Sequence, residues 1–454
     1  MPCTIAKLRA IGSYSLGVPL RSLVFGALLA ITLPAPYSAP VEAAPARQVT
    51  SLVIDGQGSG HGRGLSAWGA YGSAVNRGWS WQQILDHYYG GTTWGNRGNE
   101  WLGVRLTALD ASPVTAVLST SGQVIWNGGA YGSVHAWEVA DNRYDVYTSA
   151  TADCPGSTAG TWTYAGQVIG PVSFGTPYDW TTTAPGDVLG VCQPNGLVIH
   201  YRGFIQAVND TAGANRTVNV VDVESYVRGV LPREVFPSWG SAGGGAGMNA
   251  LRAFAVAART FGLSQSRYPY ARTCDTPSCQ VYGGAAVRQS AFAIAGVREH
   301  PLTDRAAAET AGVVRVWPGG GIVSAEYSAS HGPRSAGGPF PAVDDTASNV
   351  PQNPSYQWTR TLDVAAVAAR YGLGTLTAAW TEPTPGSPYD GVWANRVRLQ
   401  GTAGEVVVSN WDFRNAFGLP SPGFTIRSAS AGQPPLGPRP AVGPPSLPCL
   451  HKRC

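Results

Sequence analysis

The chain has 454 residues, of which 13% are charged, 58 are glycine and 35 are proline. This length allows two or three hydrophobic cores of ordinary size, and the many glycines and prolines favour loops, turns and strands over long solvated helices. The formal charge of +4 resides at the ends, with +2 over residues 1–43, +3 over residues 428–454 and −1 over residues 44–427. A basic surface for nucleic acid is therefore not indicated.

Residues 1–43 have the order of a secretory signal peptide. Lys7, Arg9 and Arg21 precede an apolar run at residues 22–33, and a small-residue cleavage signal follows at residues 41–43. The run is shorter than the roughly 20 residues that cross a bilayer, which makes a retained anchor the weaker alternative. We expect export, cleavage near residue 43 and no retained transmembrane segment.

The number of cysteines is consistent with export to an oxidising compartment. Cleavage near residue 43 removes Cys3 and leaves an even set. The six remaining cysteines are Cys154, Cys192, Cys274, Cys279, Cys449 and Cys454. Three disulfides are possible, and their pairing stays open.

The first predicted elements surround a glycine-rich loop. A short strand at residues 51–55 leads into the loop at residues 56–64, and a helix is predicted to begin near Leu65. Ser80 and Gln83 have the spacing of a capping box for a second helix at residues 81–88. From residue 101 to about 223, apolar and polar residues alternate between turn residues, which predicts mainly β structure.

The second half of the chain combines a buried helix with further strands. Apolar residues at helical spacing from residue 246 to about 266 predict the principal buried helix. Strands are predicted at residues 313–317, 323–328 and 397–408, with a last helix at about 409–417. The fold class is therefore α+β, largely β around a buried central helix, and the Pro-rich composition of residues 428–454 predicts a disordered tail.

Five motifs stand in chain order at residues 218–235, 250–261, 279–283, 326–332 and 413–419, and a weaker match covers residues 104–128. Together they resemble the SpoIID/LytB family, which contains sporulation glycan-cleaving proteins and amidase enhancers. The resemblance implies a SpoIID-like domain made of a Gly-His-Gly segment (44–100), a β-rich segment (101–215) and a catalytic core (216–427).

One departure from the family concerns motif order. The segment that begins at Gly60 and contains His61 resembles a motif usually found near the C-terminus of the family, so the order looks circularly permuted. If so, the strand that ends at Asp55 should lie against the sheet formed by residues 397–408. His61 should then approach Glu234.

The family resemblance makes Glu234 the central catalytic residue. Its neighbours Val230, Leu231, Val235 and Phe236 are apolar. Such a setting favours partial burial and a raised pKa, which suit a general acid. The alternative, on local sequence alone, is a glutamate at a helix start or in a salt bridge.

The resemblance implies a lytic transglycosylase, in which the muramic acid's own 6-hydroxyl attacks and leaves a 1,6-anhydro end, so that one acid suffices. A hydrolase would need a second carboxylate, and Asp222, Glu224 and Glu326 are the candidates. The alternative for these three is pairing with Arg252 or Arg259, which we expect for at least two of them.

Several hydrogen-bonding residues in the motifs are suited to sugar hydroxyls and N-acetyl groups. The predicted substrate contacts are Arg259, Gln280, Tyr282, Ser328, Ser330, His331 and His61. For His331 the alternative is an ordinary loop histidine. For His61 it is a local hydrogen-bond donor beside glycines that permit tight turns.

No cofactor or metal is predicted. The glycine loop lacks dinucleotide and P-loop motifs. Cys274 and Cys279 flank a turn where some family members look able to hold zinc, yet no histidine occurs between Gly262 and Glu299. We therefore hypothesise a disulfide; zinc would need distant ligands.

The leading functional interpretation is a secreted or cell-wall-associated enzyme that acts on peptidoglycan glycan strands. The first alternative is a non-catalytic wall-binding protein that enhances a separate amidase, which would make a cell-wall amidase a partner. The second is a peptidoglycan hydrolase. Nucleic acid is not an expected partner.

Overall fold

The computed structural model describes residues 47–433, apart from Gly122, Asp141, 157–160 and 291–292, together with Leu436. The predicted signal peptide and most of the predicted tail lie outside these residues. In this part of the chain no helix has both the length and the apolarity needed to cross a bilayer.

Helices form at both ends of the described chain and in its centre. In chain order they are α1 (Ala67–Arg77), α2 (Trp81–Tyr88), α3 (Val223–Glu234), α4 (Met248–Ser264), α5 (Pro301–Glu309), α6 (Val364–Arg370) and α7 (Asn410–Phe417), with 3-10 turns at Thr107–Leu109, Pro237–Gly245, Thr346–Ser348 and Gly391–Ala394.

Strands make up most of the remaining regular structure. They are β1 (Val49–Gln57), β2 (Leu65–Ser66), β3 (Thr93–Asn96), β4 (Trp101–Arg105), β5 (Val114–Leu118), β6 (Val124–Trp126), β7 (Gly129–Tyr131), β8 (Ser133–Ala140), β9 (Arg143–Ser149), β10 (Thr163–Ile169), β11 (Val172–Phe174), β12 (Leu189–Cys192), β13 (Val198–Tyr201), β14 (Phe204–Asn209), β15 (Asn215–Asp222), β16 (Thr273–Cys274), β17 (Ala286–Arg288), β18 (Gly296–Val297), β19 (Val313–Val316), β20 (Tyr327–Ser328), β21 (Gln357–Leu362), β22 (Leu376–Pro383), β23 (Asn395–Gly401), β24 (Gly404–Ser409) and β25 (Phe424–Ser430).

Side-chain caps fix the starts of several helices. The Ser66 hydroxyl accepts from the Gly69 amide at the start of α1, and Asp222 accepts from the Ser225 amide at the start of α3. Ser80 and Gln83 form the expected capping box of α2. Each such cap stabilises a helix by about 1 kcal/mol, so these polar residues determine where the chain turns into helix.

Strands from the middle of the chain form two large sheets. An eight-stranded sheet has the order β10-β9-β8-β5-β12-β13-β17-β18, and a five-stranded sheet has the order β11-β14-β15-β4-β16. β4 pairs with β15, and β13 pairs with β17. The segments 101–215 and 216–427 therefore share both sheets, and the boundary drawn between them falls at the first residue of β15.

The C-terminal region is built around the first strand. β1 is the central strand of the sheet β21-β1-β25, and β22-β23-β24 form a separate sheet. The predicted contact of β1 with residues 397–408 is therefore not strand pairing. Leu52 and Ile54 of β1 instead pack in one hydrophobic cluster with Val397 and Leu399.

The described residues contain two main hydrophobic cores. The larger surrounds α4, whose Leu251, Phe254 and Ala258 are buried among α1–α3 and the large sheets. The smaller joins β1 to β21–β25, α6 and α7. The glycine-rich loop after β1 leads from the smaller core to the larger one.

The α+β class, α2 and the buried helix α4 are confirmed, although α4 is slightly shorter than predicted. Three predictions are wrong in detail. Residues 397–408 form the hairpin β23–β24 rather than one strand, and only Tyr327–Ser328 of the predicted strand 323–328 is regular. β25 continues through Ser430, because Ser428 and Ser430 pair with β1, so these residues do not belong to a tail.

Candidate functional site

A cleft of about 450 Å³ brings together residues from distant parts of the chain. The glycine loop, the end of α3, one face of α4, the turn after β16 and the segment around β20 form its walls. Its lining residues are His61, Arg63, Ala67, Glu234, Phe254, Phe261, Gln265, Arg267, Pro277, Ser278, Cys279, Val281, Ser324, Glu326, Tyr327, Ser328 and Ala329. The cleft therefore combines polar side chains with the aromatic rings of Phe254, Phe261 and Tyr327.

Glu234 is the last residue of α3 and is half-buried in this cleft. Its carboxylate oxygen Oε1 accepts a hydrogen bond of 2.7 Å from the Val281 amide. Among the described residues no cation forms an ion pair with it. The alternatives of a helix-start or salt-bridged glutamate therefore do not apply.

Burial raises the pKa of Glu234 above its ordinary value. The Val281 amide and the Tyr327 hydroxyl stabilise the carboxylate and oppose this rise, without cancelling it. The position at a helix C-terminus also disfavours negative charge. A raised pKa increases the fraction of Glu234 that carries the proton a general acid must give.

A hydrogen-bonded chain behind Glu234 orients Tyr327. The Tyr226 hydroxyl donates to Gln280 Oε1 over 2.7 Å, and Gln280 Nε2 donates to the Tyr327 hydroxyl over 2.9 Å. Because Tyr327 oxygen accepts from Gln280, its own proton is directed to Glu234. Gln280, predicted as a substrate contact, is buried and holds this tyrosine in place.

The glycine loop lies on the segment that carries Tyr327. The Ser59 amide donates to the Ser330 carbonyl over 2.8 Å, and β2 pairs with β20 in parallel. Gly64 has a φ of +64°, and a Cβ there would lie 2.0 Å from the Glu326 carbonyl oxygen. Only glycine fits this close approach, and the approach brings His61 into the cleft as predicted.

His61 is neutral in the folded protein. Burial and the nearby Arg63 charge lower its pKa to about 4. Its Nδ1 accepts a 3.0 Å hydrogen bond from the Arg63 amide. The imidazole therefore presents an uncharged polar edge to the cleft at neutral pH.

Arg63 and Glu326 form a bidentate ion pair in the cleft wall. Arg63 Nε donates to Glu326 Oε2 over 2.7 Å, and Nη2 donates to Oε1 over 2.6 Å. Burial opposes ionisation of Glu326, but the hydrogen bonds and charge of Arg63 outweigh it and lower the pKa of Glu326. Glu326 is thus held as a carboxylate in the same cleft as the protonatable Glu234.

The other two candidate carboxylates serve the fold. Asp222 is buried, caps α3 and accepts from Trp180 Nε1 over 3.1 Å. Glu224 accepts both hydrogen bonds of a paired Arg259, at 2.8 and 2.6 Å. The expected pairing with Arg252 or Arg259 therefore holds for Glu224 alone, because Glu326 pairs with Arg63 and Arg252 pairs with Glu309.

Several predicted substrate contacts are buried away from the cleft. Arg259 is fully buried and also donates to the Ala307 and Val313 carbonyls. The Tyr282 hydroxyl donates to Asn219 Oδ1 over 2.8 Å. Ser330 accepts from Asn353 Nδ2 over 3.0 Å. These three side chains are used by the fold, and none of them lines the cleft.

His331 is also fully buried. Its Nδ1 lies 3.9 Å from Asp345 Oδ2. Burial lowers the pKa of His331 to about 3 and raises that of Asp345 to about 7. Because the imidazole is uncharged at neutral pH, this contact is not an ion pair, and His331 does not line the cleft.

Ser328 and one disulfide complete the cleft. Ser328 lines it and accepts from the Gly62 amide over 3.3 Å. Cys274 and Cys279 are joined by a disulfide, and Cys154 is joined to Cys192. The described residues contain no cluster of metal-ligating side chains. Cys279 lines the cleft two residues before Val281, so the disulfide braces the amide that binds Glu234.

Sequence reasoning missed Arg63 and Arg267 as cleft residues. Arg63 lies within the glycine segment, whose predicted return to Glu234 could have identified it. Arg267 follows α4, and its Nε donates to Gln265 Oε1 over 2.9 Å at the cleft wall. Nothing in its local sequence distinguishes it from an ordinary surface arginine.

Residues 206–317 match the family model for SpoIID, described as stage II sporulation protein. No curated protein and no solved structure gives a significant match to the chain. The matched range contains α3 with Glu234, α4 and the turn that provides the Val281 amide. The match supports a sporulation- or cell-wall-related protein as the coarse functional class. The family match of this chain is therefore to SpoIID and covers residues 206–317.

Proposed function

We propose that this protein is a peptidoglycan lytic transglycosylase in which Glu234 is the general acid. The proposal is carried by one observation: Glu234 is a half-buried carboxyl in the cleft, with a raised pKa and no ion-pair partner among the described residues. The SpoIID match over the same residues supports a cell-wall substrate.

In the proposed reaction, protonated Glu234 gives its proton to the oxygen that links MurNAc C1 to GlcNAc. The C1–O bond then breaks without forming an alkoxide. The 6-hydroxyl of the same MurNAc forms a bond to C1 and passes its proton to the Glu234 carboxylate. This sequence restores the acid, consumes no water and leaves a 1,6-anhydro end.

The state of Glu326 favours this route over hydrolysis. A hydrolase needs a second carboxylate, either to activate water or to form a bond to the sugar. Both oxygens of Glu326 already accept hydrogen bonds from Arg63, which weakens its basicity. We therefore infer that Glu326 holds Arg63 in the cleft wall and acts neither as nucleophile nor as base.

The test is digestion of purified glycan strands with product analysis by mass spectrometry. Glu234→Gln keeps the size of the side chain and its acceptor for the Val281 amide, but it cannot supply a proton. We expect turnover to fall by roughly 10²- to 10⁴-fold, the usual contribution of a general acid, while the fold and strand binding remain.

Arg252→Gln provides a matched control, since it removes a partly exposed charge outside the cleft. Wild-type protein and this control should release 1,6-anhydro fragments. Reducing ends instead would identify a hydrolase, and intact strands with retained binding would identify a wall-binding enhancer. Unchanged turnover in Glu234→Gln would move the acid elsewhere.

We also propose that the protein is exported and acts in or at the cell wall. Two disulfides among the described residues favour an oxidising compartment. N-terminal sequencing of secreted material should give a start near Ala44. A start at Met1 or Pro2 would contradict the proposal.

A further inference from the structure

Phe236 exposes a large apolar surface two residues after Glu234. Its side chain is 59% exposed, whereas the neighbouring Val235 is buried. Isolated apolar residues are common on protein surfaces, but contiguous apolar patches mark binding sites.

Phe236 belongs to a connected group of aromatic rings, which we name the aromatic rim: Trp68, Tyr71, Phe236 and Trp239. The ring centre of Phe236 lies 6.0 Å from that of Trp68 and 5.6 Å from that of Trp239. Trp68 and Trp239 are 5.0 Å apart, and Tyr71 lies 4.9 Å from Trp239. Trp239 is buried, while Trp68 and Tyr71 are partly exposed.

The aromatic rim adjoins the cleft on both of its chain segments. Trp68 follows the lining residue Ala67, and its amide donates to the carbonyl of the lining residue Ala329 over 3.0 Å. Phe236 follows the lining residue Glu234 after one buried residue. The aromatic rim therefore borders the cleft beside Ala67, Ala329 and Glu234.

The chemistry of the rim suits a sugar ring. Aromatic rings provide flat apolar surface with little conformational entropy to lose, and Phe236 is already held by two neighbours. The apolar C–H face of a pyranose can cover such a ring while its hydroxyls stay in water. None of the rim residues adds a charge, which matches an uncharged sugar face.

We propose that Phe236, supported by Trp68 and Trp239, forms a glycan subsite that binds a sugar next to those held in the cleft. The inference rests on the proposed function, because it takes the ligand of the cleft to be a glycan strand. It adds a specificity for strand length, since only a strand that extends past the cleft reaches the rim.

The experiment measures binding in full-length Glu234→Gln protein, in which turnover is strongly reduced. GlcNAc–MurNAc strands of two and eight sugars serve as probes in calorimetry. Adding Phe236→Ala should raise the Kd for the eight-sugar strand about tenfold, which corresponds to about 1.4 kcal/mol, and leave the two-sugar Kd within about twofold. Phe236→Trp should restore long-strand binding.

Tyr164→Ala is the matched control, because Tyr164 is 54% exposed on β10 and does not line the cleft. Its long-strand Kd should equal that of the parent. Equal long-strand binding by Phe236→Ala and the parent would overturn the subsite and leave the rim to a protein partner. Equal loss for both strand lengths would also overturn it, by placing the effect within the cleft. If the parent binds no strand, the proposed substrate and the subsite fail together.

Discussion

The pKa values of two glutamates in one cleft are shifted in opposite directions by their surroundings. Burial holds the pKa of Glu234 above its ordinary value, whereas Arg63 outweighs burial and holds that of Glu326 below it. Pairs of this kind separate an acid from a permanently charged carboxylate. The separation depends on side chains from three segments and on the Val281 backbone amide from a fourth, so it arises only when the chain is folded.

Tyr327 should set the upper pH limit of activity. The acid form of Glu234 is required, so activity is present below its pKa and is lost as pH rises through it. The Tyr327 hydroxyl lowers that pKa by stabilising the carboxylate. In Tyr327→Phe the pKa should therefore rise, and the alkaline limb of kcat/KM should move to higher pH.

The matched control for this profile is Tyr147→Phe, which removes a hydroxyl from β9 outside the cleft. Its pH profile should coincide with that of the wild type. An alkaline limb that moves to lower pH in Tyr327→Phe would contradict the assigned role of the hydroxyl. Circular dichroism at each pH separates loss of chemistry from unfolding.

At the residue scale, the sequence identified Glu234, His61 and Ser328 as members of one site, and all three line the cleft. It misplaced Gln280 and Tyr282, because their buried partners, Tyr226 and Asn219, lie more than fifty residues away. A hydrogen-bonding side chain has the same appearance in sequence whether it binds a sugar or a distant tyrosine.

At the element scale, the glycine loop depends on backbone contact. Gly64 and Gly78 both have positive φ, at +64° and +66°, but only Gly64 lies against neighbouring backbone. Gly78→Ala should cost about 1–2 kcal/mol, the penalty of a left-handed alanine. Gly64→Ala should cost about 3 kcal/mol or more, because the Glu326 carbonyl must also move.

Urea unfolding of the two alanine variants tests this difference, and glycan digestion tests its consequence for the cleft. Gly64→Ala should lose activity as well as stability, because the loop carries His61 and Arg63. Equal stability losses in the two variants would show that the loop can withdraw from β20 without cost.

Removal of each of the two disulfides should affect stability and activity to different degrees. Closing a loop of 38 residues stabilises a fold by about 4 kcal/mol, and closing one of 5 residues by about 2 kcal/mol. Replacing Cys154 and Cys192 by serine should therefore cost more stability but leave turnover unchanged. Replacing Cys274 and Cys279 should cost less stability but reduce turnover, since their turn leads to Val281.

Denaturant midpoints and digestion rates of the two double variants check this prediction. The Cys154–Cys192 variant acts as the control for general destabilisation. If its turnover falls as far as that of the Cys274–Cys279 variant under conditions where both are folded, the turn has no special role in holding Glu234.

Sequence patterns identified some elements and missed others for physical reasons. α2 has a capping box, and α4 has a long apolar face, so both are encoded locally. α3 is rich in β-branched valine and contains Pro232, both of which disfavour a helix. It forms because Asp222 caps it and because its buried face packs against α4 and α5.

At the scale of the whole molecule, the first and last described strands are neighbours. β1 and β25 are antiparallel, with Val49 opposite Ser430, and the Ala431 amide donates to the Gln48 carbonyl over 3.0 Å. A chain that joined residue 433 to residue 47 would therefore convert these strands into a hairpin. This geometry is what a circularly permuted motif order requires, and the permutation itself stays a prediction.

A rearranged chain tests whether that order matters for folding. The new chain would begin at Asn99, run to residue 433, continue through a short glycine-serine linker to residue 47 and end at Gly98. Gly98 is exposed, and a Cβ there meets no atom within 4 Å, so the opening lies in a free turn. We expect this permutant to fold with an unfolding free energy within about 2 kcal/mol of the unpermuted 47–433 chain and to retain glycan digestion, since all strand pairs and cleft residues are kept.

A second permutant opened between Ile54 and Asp55 breaks the central strand of the sheet β21-β1-β25 and should not fold. Urea unfolding of both permutants measures their unfolding free energies and shows whether each one folds. An unfolded first permutant would mean that the N-terminal strand must be made before the core, and the interpretation of this chain as a permuted SpoIID domain would lose its physical basis.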